Sequence, residues 1–327
     1  MNTIQKSRKM RVAAIQVQSR PGEMAANYAH ALPFIEAAAA QGAQLAVLPE
    51  LFACGYIPNP RIWRYGETLN GPTIAWLCET SKRLGIYLGA GFAEIDGTDF
   101  FNSFALTDPN GNLAGVARKT RAETYCFRHG AGNHVIQTDI GTIGVGICAD
   151  NHFTTFPALM RYSNIDILLM PHASPMLFKT SKHAKEADIE RMRENTLSLT
   201  TLYAELLGVP VMFVNPVGEL QPMSGLLGKF MTPASFRLRG MSRIADSDGV
   251  LVGEMDEQEG ILVAEVTFDP ARKRSGTPVD YDGWLHRGSA VTRKVLIPID
   301  NITGRLFYGL SRERQRMAKR AVCPEYQ

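Results

Sequence analysis

Gly141-Thr142-Ile143-Gly144-Val145-Gly146-Ile147-Cys148-Ala149-Asp150 is the stretch from which the fold can be read outward. Small residues alternate with Ile and Val, the pattern of a strand packed closely by its neighbours. A polar run, Asp150-Asn151-His152, follows at once, so Cys148 falls where the strand stops and a turn begins. A thiol there is held rigidly and can still reach a cleft, as a nucleophile must. An unpaired cysteine is more often a small buried hydrophobe, so the rest of the chain has to decide.

Upstream, residues 12–17 read as a strand and residues 25–41 as a helix, with Pro33 marking a kink or a late start. Residues 45–48 form a second buried strand, closed by Pro49-Glu50. A helix over 73–84, ended by Gly85, leads to a strand over 86–94. Residues 101–107 and 113–118 make a hairpin around Asp108-Pro109-Asn110-Gly111, and Lys119 stands at its end. Further strands are predicted over 134–138, 142–147, 166–170 and 209–215. Helices are predicted over 156–162 and, as one long element, 181–207. Short strands follow to residue 266. Strand and helix alternate, with hairpins between, and the two halves share one element order; the fold class is α/β with a mixed sheet.

The composition is globular: 327 residues, 45% hydrophobic and 20% charged. Without a Gly/Ser or Pro-rich linker, residues 1–269 read as one large domain and 270–327 as a C-terminal extension. A formal net charge of +3 is too small to point to nucleic acid. The five cysteines, Cys54, Cys78, Cys126, Cys148 and Cys323, include no CxxC pair, which argues against disulfides and against zinc. The basic N-terminus has no apolar run behind it, and no later segment approaches the roughly 20 apolar residues of a spanning helix. A soluble, reducing, cytoplasmic setting without membrane partner, cofactor or metal is the expectation.

Glu50, Lys119 and Cys148 each stand at the end of an apolar strand. Ligands of α/β sheets bind just outside such ends. Singly, each residue is unremarkable on a surface; together they supply base, cation and nucleophile for attack on a carbonyl or nitrile carbon.

With these residues in place the chain resembles the nitrilase-related carbon–nitrogen hydrolases. The resemblance rests on Leu48-Pro49-Glu50-Leu51-Phe52 with Gly55-Tyr56, on Arg118-Lys119-Thr120, and on Gly144 to Asp150. Further pieces are Asp166 to Pro171 with His172-Ala173-Ser174-Pro175, Val214-Asn215, and Ser242 to Gly249, in the family's order. It implies a four-layer α-β-β-α sandwich and a Glu50–Lys119–Cys148 triad. It also implies a dimer through the face near the cysteine. The extension is expected to pack on a partner subunit through its own apolar stretches 295–299 and 306–310, in a homodimer or larger even homo-oligomer. Glu123, the one Glu between the lysine and the cysteine, is the candidate supporting carboxylate. Tyr56, Ala149, Asn151 and His172 are candidate substrate contacts. Cys148-Ala149-Asp150 in place of the Cys-Trp-Glu of nitrilases favours an amide substrate, with a nitrile or an N-carbamoyl compound as alternatives. Asn151 and His152 stand where carbamoyl-amino-acid hydrolases often carry arginines, which counts against an anionic carbamoyl substrate. A non-catalytic scaffold of the same fold is disfavoured by the intact Glu, Lys and Cys set.

Overall fold

Val12 and Ala14 leave their strand on one side and Ala13 and Ile15 on the other, and this alternation builds the layers. The computed structural model describes residues 7–180 and 184–322. Residues 1–6 of the basic N-terminus, residues 181–183 of the expected long helix and Cys323 lie outside the described residues.

The first half runs β1 (Arg8–Gln16), α1 (Met24–Ala40), β2 (Leu45–Val47), α2 (Pro72–Leu84), β3 (Tyr87–Asp96), β4 (Asp99–Thr107) and β5 (Leu113–Arg118). The second runs β6 (Val135–Thr138), β7 (Gly141–Val145), α3 (Thr155–Tyr162), β8 (Ile167–Pro171), β9 (Pro175–Leu177), α4 (Glu186–Leu197), α5 (Leu199–Leu207) and β10 (Val211–Val214). Then come β11 (Val217–Glu219), β12 (Phe236–Arg239), β13 (Arg243–Ala245), β14 (Leu251–Glu254), β15 (Gly260–Phe268), α6 (Ile297–Leu310) and α7 (Arg312–Val322).

Two six-stranded sheets result, ordered β15-β1-β2-β3-β4-β5 and β14-β13-β10-β8-β7-β6. Each has three parallel strands at its centre, β1-β2-β3 or β10-β8-β7, flanked by antiparallel ones. The inner faces meet: Val12, Val47 and Phe104 of one sheet pack with Ile143, Leu169 and Met212 of the other. The outer face of the first sheet, with Ala13, Ala46 and Leu88, is covered by Ile35 of α1 and Leu77 of α2. That of the second, with Leu168 and Val211, is covered by Met160 of α3 and Tyr203 of α5. This is the four-layer α-β-β-α sandwich. Each fully buried Leu, Ile or Phe contributes roughly 1.5–3 kcal/mol.

Some elements differ from their sequence reading. The helix at Pro33 neither starts late nor stops; α1 runs through it. The long helix ends at Leu197 and resumes at Leu199, so it is two elements. A small third sheet, β11-β12-β9, was not legible, because two of its strands are only three residues long. Among the described residues no helix is long and apolar enough to cross a membrane.

The extension packs on its own chain. Phe307 stacks on Trp63 at 6.3 Å, and the Tyr308 hydroxyl accepts from Phe100 N–H at 2.8 Å. Gly304 lets α6 come close: a Cβ there would lie 2.1 Å from Thr124 Oγ1. Asp300 Oδ1 accepts the backbone N–H groups of Leu226 and Leu227.

Candidate active site

β2, β5 and β7 end at the same place in the sandwich, and their ends carry Glu50, Lys119 and Cys148. Gly91 on β3 makes room for the first: a Cβ there would sit 2.7 Å from Glu50 Cα and 2.2 Å from Leu51 N. Leu51 and Cys148 both hold left-handed backbone, at φ 50° and 46°. Such conformations persist in non-glycine residues only where surrounding contacts enforce them. Cys148 opens a short 3-10 turn through His152. Ala149, second in that turn, has an N–H with no backbone acceptor among the described residues, as helix starts leave it.

Lys119 lies at the centre. Its Nζ donates to Glu50 Oε1 at 2.6 Å and to Glu123 Oε1 at 2.7 Å, with the lysine fully enclosed. Asn102 on β4 donates to both acids, at 2.7 Å to Glu50 and 3.2 Å to Glu123. Ala173 N–H donates to Glu50 Oε2 at 2.7 Å, and the Tyr56 hydroxyl to Glu123 Oε1 at 3.1 Å. Asp150 ties the two halves together: its Oδ1 accepts from Thr120 N–H, Thr120 Oγ1 and Arg121 N–H at 2.8–3.1 Å.

The charges follow from this geometry. Burial works against the Lys119 ammonium, but Glu123 and Glu50 together outweigh it and hold the lysine protonated well above its usual range. Burial also raises Glu123, yet Lys119 overcomes it and keeps that carboxylate ionised. For Glu50 burial wins, and its pKa stands above the ordinary value despite the pull of Lys119. Burial and the Glu50 charge push the Cys148 thiol up, against the pull of Lys119.

Lys119, Glu123, Tyr56, Cys148 and Ala149 line a cavity of about 390 Å³. Its outer wall holds Phe153 and, from the extension, Trp284, Ile297, Asp300 and Arg305. Asn151 and His172 were expected to contact substrate; the structure instead places them in the interior behind the cysteine. The turn at Cys148 points Asn151 inward, where its Nδ2 donates to Gly146 O at 2.7 Å and meets His172 Nε2 at 3.0 Å. Asn102, Asp150 and the extension were missed. A lone Asn inside the apolar run Phe100-Phe101-Asn102-Ser103-Phe104 was the available signal for the first. A larger, more open groove of about 570 Å³ lies elsewhere, between α4 and β12–β14. Its Arg193, Arg239 and Arg243 are already paired with Glu190, Glu257 and Glu254, and it holds no nucleophile.

Comparison with known proteins bears on the family and the fold. The N-carbamoylputrescine amidase of Arabidopsis thaliana is 26% identical over 287 residues, covering 84% of this chain and 92% of its own. A nitrilase of Pyrococcus abyssi is 32% identical over 169 residues, 50% of this chain and 64% of its own. A carbon–nitrogen hydrolase structure from Helicobacter pylori matches in fold with a TM-score of 0.70 at 21% identity, over 79% of this chain and 89% of that one. The family model described as carbon-nitrogen hydrolase matches residues 11–274, a span that runs through both sheets and all three strand ends. By that match this chain, an enzyme, belongs to the carbon–nitrogen hydrolase family.

Proposed function

We propose that the protein hydrolyses a small amide to a carboxylic acid and ammonia through a thioester on Cys148. The observation that carries this is the Lys119 ammonium, fixed between Glu50 and Glu123 beside the Cys148 thiol. Glu50 takes the thiol proton as Sγ bonds to the amide carbon. The oxyanion that forms is met by Lys119 Nζ and the free N–H of Ala149; one such donor is typically worth about 3 kcal/mol of barrier. Glu50 returns the proton to the leaving nitrogen, the C–N bond breaks and ammonia departs. Water, deprotonated by Glu50, then attacks the thioester; the C–S bond breaks and the thiolate regains its proton. Glu123 orients Lys119 throughout. An amide is favoured over a nitrile because Ala149-Asp150 stand after Cys148 in place of the Trp-Glu of nitrilases.

Ammonia release from a panel of short amides and nitriles tests this, together with the intact mass of acid-quenched enzyme. The expected result is ammonia from amides and a mass increment equal to the acyl group. Turnover of nitriles alone would transfer the reading to the nitrilase alternative, and no turnover of either would end it.

The outer face of α6 supports a homodimer. Ile299, Ile302, Leu306 and Leu310, with Val295 in the turn just before them, are exposed and recur every three or four residues, a stripe that the same helix of a second copy would cover. Light scattering is expected to give twice the 36.0 kDa chain mass. Leu306→Glu should shift the mass toward the single chain, and a monomeric wild type would refute the dimer.

A further inference from the structure

We propose that the mouth of the cavity is a carboxylate subsite, built by Arg121 and Arg305 around His129, and that the amide cleaved here carries an acidic group. The inference rests on the amidase reading above and names its substrate class.

Most arginines near the sheets have acidic partners: Arg118 pairs with Glu94, Arg128 and Arg314 with Asp99, Arg239 with Glu257. Arg121 and Arg305 have no carboxylate within ion-pair distance among the described residues, and both line the cavity. The Arg121 guanidinium lies 4.2 Å over the Phe153 ring, which fixes its plane and leaves its N–H edges free. Arg305 Nη2 lies 3.4 Å from His129 Nδ1. An arginine can only donate, so Nδ1 accepts and the ring proton sits on Nε2. That Nε2 is buried without a partner among the described residues. Burial, then Arg305 and Arg121, push His129 down to about 4, so the ring is neutral at pH 7.

Two guanidiniums and a histidine thus line one cavity, and among the described residues neither guanidinium has a carboxylate in ion-pair range and the ring Nε2 has no partner. Asp300, the acid on that wall, already spends Oδ1 on two backbone N–H groups. Arg293 is engaged by Tyr281 O and faces Asp282. The missing complement is a planar anion, which guanidinium edges bind in paired hydrogen bonds. Arginines are absent just after Cys148; the positive charge comes instead from the loop after Lys119 and from α6.

The test compares succinamate with butyramide and glutaramate with valeramide, pairs that differ in a carboxylate against a methyl group. The expected result is a kcat/KM preference of about 100-fold for the acidic member of at least one pair. Arg305→Gln and Arg121→Gln should each cut that ratio by at least about tenfold. Equal kcat/KM within both pairs, or arginine variants that leave the ratio unchanged, would overturn the subsite. Calorimetric binding of glutarate to the Cys148→Ala protein needs no turnover. If no amide is cleaved, the amidase reading fails, and this titration alone decides the subsite. Weakening by either arginine variant supports it, while no binding or arginine-independent binding overturns it.

Discussion

Lys119→Met is expected to lower kcat by roughly 10³-fold and to destabilise the fold by about 3–5 kcal/mol. Both effects have one source. In the proposed mechanism the ammonium stabilises the oxyanion, and among the described residues it is also the only cation hydrogen-bonded to Glu50 and Glu123. Its pKa in the folded chain is raised, so its stabilising contribution is complete below the ordinary value of about 10.4 and is lost only as pH rises through the folded value. The variant lacks that contribution across the whole neutral range. Glu50, already raised by burial, then rises further, and a raised carboxyl favours the folded state at low pH. The deficit in Tm should therefore be larger at pH 8 than at pH 5, which calorimetry at the two values would reveal. Adding Glu123→Gln removes one of the stranded charges and should recover part of the loss. A wild-type Tm for Lys119→Met at pH 8 would show that the buried carboxylates do not depend on the lysine.

Cys148→Ala is expected to reduce kcat by at least about 10⁴-fold while leaving Tm near that of the wild type. The side chain borders the cavity, so its removal enlarges an existing space and opens no closed void. The pH profile of the wild type adds a second constraint. Burial and Glu50 raise the thiol, so at neutral pH the proton is on sulfur and Glu50 must accept it. Because Glu50 is itself raised, kcat/KM should fall on the acid side with a midpoint above the ordinary value of about 4.3. Ammonia release measured between pH 4 and 9 checks this. A rate that climbs continuously to pH 9 would identify a thiolate formed without Glu50 and remove that residue from its role.

The three strand ends were legible because each is an apolar run that stops on a charged or nucleophilic residue, and a period of two carries that information locally. Glu123 was named through the resemblance, as the one Glu between Lys119 and Cys148, and its place four residues after Lys119 lets both side chains meet. Asn151 was misread because a single 3-10 turn reverses which of five consecutive residues face the cavity. The inner docking surface of α6 was hidden for a different reason. Its partners Trp63, Phe100 and Thr124 lie about 180–245 residues earlier, and no local pattern in the tail names them. Asn102 illustrates the same limit within a strand, where one polar residue meets acids from two separate loops.

Because α6 supplies part of the cavity wall, a stretch of chain that carries none of the proposed reacting groups also borders the substrate's space. Two relatives sharing every strand and every reacting group could differ in diet by exchanging only their last few dozen residues. Appetite for a new amide can thus change while the scissors stay untouched.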